Sequence, residues 1–313
     1  MQSQLSRHNR KQVAVPDLIV ILGATATGKT SAAVAVARAR NGEIISADSR
    51  QVYRGMDIGT GKDLDEYGDI PCHLIDIAEP GEEYSVFRFQ REFFKAFESI
   101  RARGRLPVCV GGSGLYLEAV LKGYRLVEVP ENPALRAELE PLSIEELARR
   151  LITLKPEQHN TTDLLERPRL VRAIEIAAGE AAAGEPDPLP VFQARVFGIR
   201  WPRDELRRRI TRRLERRLSE GMIEEVERLL AGGIEHQTLE HYGLEYRYIS
   251  HMLRGELDRP EMFRLLNLAI HKFAKRQETW FRRMEKRGTE IRWVDGAGAP
   301  SAGILAALGP HSA

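Results

Sequence analysis

The sequence predicts an α/β fold: a parallel sheet flanked by helices, with a small helical insertion and a helical, basic C-terminal part. Three observations carry this. In the first 125 residues short apolar runs alternate with amphipathic helical patterns, as strand–helix–strand units do when both faces of a parallel sheet are covered. One of these units opens with 17–31, "DLIVILGATATGKTS", where an apolar strand runs into a glycine-containing turn and then into helix-forming residues. From 203 onward the texture turns helical and rich in arginine.

Taken in order, the candidate strands are 17–22, 43–47, 72–77 and 106–112, with helical patterns between them at 30–40, 86–103 and 114–121. Two later apolar stretches, 194–201 and 290–294, extend the same sheet. The spacing predicts helices over 134–154 and 167–180, while the Gly/Pro/Ala composition of 181–190 reads as a flexible connection. Beyond 203, Leu206, Ile210, Leu214 and Leu218 share one helical stripe and arginines occupy the rest. Gly221 interrupts, 222–230 resumes, Gly232 and Gly233 stop it, and a last long helix covers about 260–287. The expected organisation is a flexible basic tail (1–16), a phosphate-loop core (17–124), a small helical insertion (125–166) and a return to the core (167–202). A helical part (203–295) then completes the core, and 296–313 is a flexible tail. No internal repeat is present.

Bulk composition narrows the class. With 42% hydrophobic and 29% charged residues, the chain reads as globular, and no apolar run approaches the roughly 20 residues of a membrane span. The polar N-terminal stretch lacks the apolar block of a secretory signal. Cys72 and Cys109 are too few for a disulfide framework or a four-thiolate zinc site. A cytoplasmic monomer without membrane partners is the expectation. The net charge of +2 hides an asymmetry: residues 201–287 hold 20 Lys/Arg against 15 Asp/Glu, so the rest of the chain sums to −3. Seven arginines fall within 206–217, and seven Lys/Arg with three interleaved aromatics fall within 271–287. Such a face suits a polyanion, although a helix surface laced with Glu–Arg pairs gives the same pattern.

The stretch Gly23, Ala24, Thr25, Ala26, Thr27, Gly28, Lys29 and Thr30 fits Gly-x4-Gly-Lys-[Ser/Thr], so the fold is P-loop NTPase-like. Backbone N–H groups of such a loop point at phosphate oxygens and add to the partial charge of the helix N-terminus. Lys29 neutralises the outer phosphate, and the Thr30 hydroxyl is the expected ligand of a Mg²⁺ bridging two phosphates. Phosphoryl transfer also needs a carboxylate at a buried strand end. The strand 106–112 instead ends in Gly111-Gly112-Ser113-Gly114, and Asp76 is a weak substitute. Asp48, closing "EIISAD", is the more informative carboxylate, because strand carboxyl ends line the crevice of an open α/β sheet. A turn-forming aspartate is the plainer alternative.

At this point the chain resembles the tRNA dimethylallyltransferase (tRNA isopentenyltransferase) family. The resemblance rests on "GATATGKTS", "IISADSRQVYRGMDIGTGK", "CHLIDI", "VGGSGLY", "RPRLVRAIE", "GMIEEVERLL" and "AKRQETWF", in this order across 17–294. It implies transfer of a dimethylallyl group from dimethylallyl diphosphate to the exocyclic N(6) amine of adenosine 37, beside a tRNA anticodon. Residues 23–30 then bind the donor's diphosphate, and Asp48 is the general base. Asp48, Ser49, Arg50 and Gln51 contact the adenosine, and Ser113 stands where a threonine helps hold the reacting centre. The resemblance assigns tRNA contacts, to the anticodon stem-loop, to Pro168, Arg169, Arg172, Tyr246, Arg247, Lys275, Arg276 and Gln277. Tyr53, Tyr242 and Trp280 are candidate stacking surfaces, with core packing the plainer role for each.

The chain departs from the family pattern at Ser113, at Glu245 in place of a glycine, and at Ile270-His271 in place of Thr-Arg. Other readings stay open: an adenylate isopentenyltransferase acting on AMP, ADP or ATP, a P-loop small-molecule kinase, and a tRNA-binding protein without catalysis. The basic C-terminal helices argue against a mononucleotide acceptor, which needs no such surface.

Overall fold

The computed structural model describes residues 16–156, 166–182 and 188–310, so the basic tail up to residue 15 lies outside them. The chain runs β1 (Leu18–Gly23), α1 (Lys29–Ala39), β2 (Gly42–Ala47), β3 (Cys72–His73), α2 (Val86–Ala102), β4 (Leu106–Gly111) and α3 (Gly114–Leu121). It continues through α4 (Pro133–Leu139), α5 (Ile144–Leu154) and α6 (Arg167–Ala182) to β5 (Ala194–Arg200). The remaining elements are α7 (Arg203–Ser219), α8 (Met222–Ala231), α9 (His236–Tyr242), α10 (Leu244–Leu253), α11 (Arg259–Lys286), β6 (Ile291–Asp295) and α12 (Pro300–Leu308).

The six strands form one parallel sheet in the order β3-β2-β4-β1-β5-β6. β1 and β2 are buried along their whole length, as strands covered on both faces must be. One core layer packs Ala33, Val36 and Ala37 of α1 on Ile19, Ile21 and Val108 of the sheet. α2 buries a stripe of Phe89, Phe93, Phe97 and Ile100, and its first turn is capped by Ser85, whose hydroxyl accepts from Arg88 N–H. Strand register aligns three chain segments: Gly111 lies opposite both Leu22 and Ala47. The phosphate loop, Asp48 and Ser113, each just beyond one of these strand ends, therefore come together at the carboxyl edge.

Compact units are residues 1–122 with 191–313, and residues 123–190. The second has its own apolar centre, with Leu139, Leu147 and Leu151 against Leu170, Ile174 and Ala177. Helix 167–182, expected to rejoin the sheet core, thus belongs to the inserted unit, because its apolar face is matched to α4 and α5. The expected single helix over 134–154 is two, broken before Ser143, which makes a capping box with Glu146 at the start of α5.

Two further expectations are corrected. The strand 72–77 pairs only at Cys72 and His73, since Leu74 (φ 64°) and Asp76 (φ 53°) are left-handed and leave the ladder. Segment 296–313, expected to be a flexible tail, contains α12, whose Ile304 and Leu308 join the core layer over α1. Residues 183–187 of the expected connection lie outside the described residues. No described helix is long and apolar enough to cross a membrane.

Candidate active site

The phosphate loop is shaped by its own backbone. Ala26 (φ 62°) and Gly28 (φ 82°) are left-handed, and the Thr27 hydroxyl donates to Ala24 C=O at 2.8 Å. A side chain at Gly23 would meet the Thr27 hydroxyl at 2.6 Å, so only glycine admits this turn. α1 begins with no side-chain cap and no acidic residue in its first turn, which leaves its N–H groups free to meet an anion. Lys29 and Thr30 open into a cavity of about 280 Å³ walled by Arg209, Arg212, Arg213 and Arg216 of α7. Burial, then neighbouring Arg213, pulls the Lys29 ammonium down to about 8, against the opposing pull of Asp48. A diphosphate entering here would relieve the mutual repulsion of these cations.

Asp48 lies just beyond β2, and its Oδ1 accepts the Arg50 N–H at 2.9 Å, an Asx turn that fixes the carboxylate's direction. The turn role and the site position thus coexist in one residue. Ser113 Oγ accepts from Ser49 N–H at 3.1 Å, tying the β4 end to the Asp48 segment. The loop after β4 is also held from above: Gln277 of α11 accepts from Thr25 N–H at 2.9 Å and donates to Gly112 C=O at 3.0 Å. One amide thus clamps the phosphate loop to the glycine loop.

Several expected RNA contacts are occupied within the protein. Gln277 is 8% exposed, and its amide is engaged within the protein as just described. Tyr246 is 1% exposed, with its hydroxyl donating to Glu225 at 2.7 Å. Gln51 is buried between Ser46 Oγ (3.0 Å) and Gly61 C=O (3.0 Å) and holds the loop beyond it. Tyr53 and Tyr242 pack edge-to-face with centroids 4.5 Å apart in the interior. Trp280 donates to buried Glu118 at 3.0 Å and lies against Gly114. Asp76 pairs with buried Lys62. Lys275, Arg276 and Arg247 are exposed. In the inserted unit, Pro168 and Arg169 are exposed, whereas Arg172 bonds Glu175 and Val129 C=O.

The chain is similar throughout to known enzymes. A family model described as IPP transferase matches residues 51–284. The chain belongs to the IPP transferase family. A second model, isopentenyl transferase, matches residues 16–67. A tRNA dimethylallyltransferase of Syntrophotalea carbinolica is 66% identical, the match covering 92% of this chain and 97% of that protein. One of Geotalea uraniireducens is 63% identical, covering 91% and 94%. Among solved structures, the tRNA isopentenylpyrophosphate transferase of Bacillus halodurans superposes with a TM-score of 0.65 at 35% identity, covering 89% of each chain.

Two features of this IPP transferase escape a reading of its sequence. Arg213 lies beside Lys29 and donates to Asp63 at 2.5 Å, so part of the basic helix faces the phosphate loop. Glu225, 1% exposed, accepts from Asp57, Ile58 and Gly59 N–H at 2.8, 2.7 and 2.9 Å and from Tyr246. Its signal was a carboxylate on the same helical stripe as Met222 and Val226.

Proposed function

We propose that this enzyme transfers a dimethylallyl group from dimethylallyl diphosphate to the exocyclic N(6) amine of adenosine 37 in the anticodon stem-loop of tRNA, releasing diphosphate. The observation that carries the reading is the convergence of Lys29, Asp48 and Ser113 at one sheet edge, in a chain whose relatives are named tRNA dimethylallyltransferases.

The diphosphate is held by the N–H groups of residues 23–30, by Lys29 and by the α7 arginines. The amine nitrogen forms a bond to the allylic carbon as that carbon's bond to oxygen breaks, and the electron pair leaves with the diphosphate. Inward N–H groups and cations stabilise the charge that develops there. The amine proton becomes acidic only as the new bond forms, and Asp48 accepts it. The hydroxyl of Thr30 lines the same cavity and is a fitting ligand for Mg²⁺, which is content with one or two protein groups, phosphate oxygens and water. When bound there, Mg²⁺ would offset the negative charge that builds on the departing diphosphate. The target base must leave its stack, at a cost of a few kcal/mol. Exposed Lys275, Arg276, Arg247 and Arg169, with Ser49 and Arg50 near the base, supply the compensating contacts to RNA. The same reading has the chain working as a monomer in the cytoplasm, where its tRNA substrate is.

The test is to offer labelled dimethylallyl diphosphate with unmodified tRNA or with AMP. Label in tRNA alone is expected. Label in AMP but not tRNA would make this an adenylate prenyltransferase, and ATP turnover with neither labelled would favour a kinase.

A further inference from the structure

The phosphate loop is pinned through its carbonyls. In a trans peptide the C=O and the N–H that follows it point in opposite directions, so a group that holds the carbonyl also aims the next amide. The Ala24 C=O accepts from the Thr27 hydroxyl at 2.8 Å, and the amide of the same peptide, Thr25 N–H, is taken by Gln277. Further along, the Ala26 C=O accepts from Arg209 Nε at 2.8 Å, and the Thr27 C=O accepts from the indole N–H of Trp201 at 3.0 Å. The amides of these two peptides, Thr27 N–H and Gly28 N–H, meet no acceptor among the described residues. Two consecutive donors are thus left available while their carbonyl ends are fixed.

Trp201 stands directly beyond β5, a fourth strand end at the same edge, where Ile199 lies opposite Gly23. Its ring is itself held. The Arg209 guanidinium lies 4.1 Å from the ring centre. A side chain at Gly296 would meet the indole nitrogen at 2.0 Å, so the indole rests directly on that backbone. Gly296 N–H in turn donates to the Arg200 C=O at 2.8 Å, tying this contact to the residue before Trp201. Ala26 is left-handed (φ 62°), a conformation that a non-glycine residue keeps only where its surroundings impose it. The Arg209 bond to its carbonyl does so, and Trp201 stacks on Arg209. Arg209 walls the cavity with Lys29 and Thr30, but Trp201 does not. The indole therefore reaches the diphosphate site only through the Thr27 carbonyl and through Arg209.

We propose that Trp201 is a positioning residue for the donor's diphosphate. Its indole N–H sets the Thr27–Gly28 peptide so that the Gly28 amide is presented to the anion, and its ring keeps Arg209 on the Ala26 carbonyl. The proposal rests on residues 23–30 holding the diphosphate, which pyrophosphate binding by the wild type tests separately.

The experiment measures inorganic pyrophosphate affinity by calorimetry on wild type, Trp201→Phe, Gly296→Ala and the double variant. The Gly28 amide resonance, tRNA affinity and steady-state transfer to tRNA are followed in parallel. Phenylalanine keeps a ring beside Arg209 and removes the donor. Trp201→Phe is expected to bind pyrophosphate about three- to tenfold more weakly, with tRNA affinity within about twofold of wild type. Its Gly28 resonance is expected to shift, and the loss in transfer to fall mainly on KM for dimethylallyl diphosphate and less on kcat. Gly296→Ala, which displaces the indole from outside the cavity, is expected to move the same quantities in the same direction and to add little in the Trp201→Phe background. Unchanged pyrophosphate affinity and Gly28 resonance in Trp201→Phe, while the wild type binds pyrophosphate, would overturn the positioning role alone. Fully additive losses would also overturn it, since Gly296 would then not act through the indole. So would an equal loss of pyrophosphate and tRNA binding, the mark of a general loosening of the fold. A wild type that binds no pyrophosphate would remove the diphosphate from residues 23–30 and this proposal with it.

Discussion

Lys29 shows how one side chain carries both binding and its pH dependence. Its ammonium lies among Arg213 and Arg217 and is drawn down to about 8 from the usual 10.5, burial being the larger cause. The folded protein therefore holds fewer protons than the unfolded chain between about pH 8 and 10.5. This residue's contribution to stability improves as pH rises through that window. Donor binding moves the other way, because the charge that meets the diphosphate disappears. Pyrophosphate affinity of the free enzyme is expected to fall by up to about tenfold per pH unit above 8. In Lys29→Met the affinity is lower throughout and that step is missing, which calorimetry across pH 7–9.5 would detect. A wild-type profile matching the variant's would take Lys29 out of the diphosphate site. The sequence marks Lys29 by its motif, but its cationic neighbours come from a helix some 180 residues later in the chain, and spacing alone does not report that meeting.

At the level of elements, the loop after β2 is held by α8, not by its own sequence. The Glu225 carboxylate collects three consecutive N–H groups and the Tyr246 hydroxyl in the interior. Gly61, in the same loop, accepts from Gln51. The clamp thus fixes the segment that begins at Asp48. Glu225→Gln is expected to lower the unfolding free energy by about 2–4 kcal/mol, with faster hydrogen exchange at Asp57, Ile58 and Gly59. Unchanged protection there would mean the loop holds itself. Elements differ in how plainly the sequence announces them. The buried strands were legible because each is a continuous apolar run, and α11 because its stripe is long. The short β3 was not, since left-handed Leu74 and Asp76 end a pattern that reads as extended. α12 was hidden by an Ala/Gly/Pro-rich composition, although Pro300 at its start and the i, i+4 pair Ile304 and Leu308 mark it. For Tyr246, Gln51 and Gln277, motif position does not reveal the internal hydrogen bonds that the structure gives each of them.

On the scale of the whole molecule, a parallel sheet brings three strand ends to one edge. On the proposed reading, a phosphate loop of nucleotide-binding type then serves a diphosphate that departs from carbon, with no phosphoryl group moved. The same reading makes the basic C-terminal helices a surface for a polyanion, in keeping with the positive charge that a nearly neutral chain gathers within 201–287. The account stands or falls on where the amine proton goes. The most direct measurement is single-turnover transfer from dimethylallyl diphosphate to pre-bound tRNA by Asp48→Ala, with tRNA affinity measured in parallel. The account predicts a rate lower by on the order of 10²–10⁴-fold with tRNA affinity within about threefold of wild type. Near-normal transfer by Asp48→Ala would show that another group takes the proton and would contradict it.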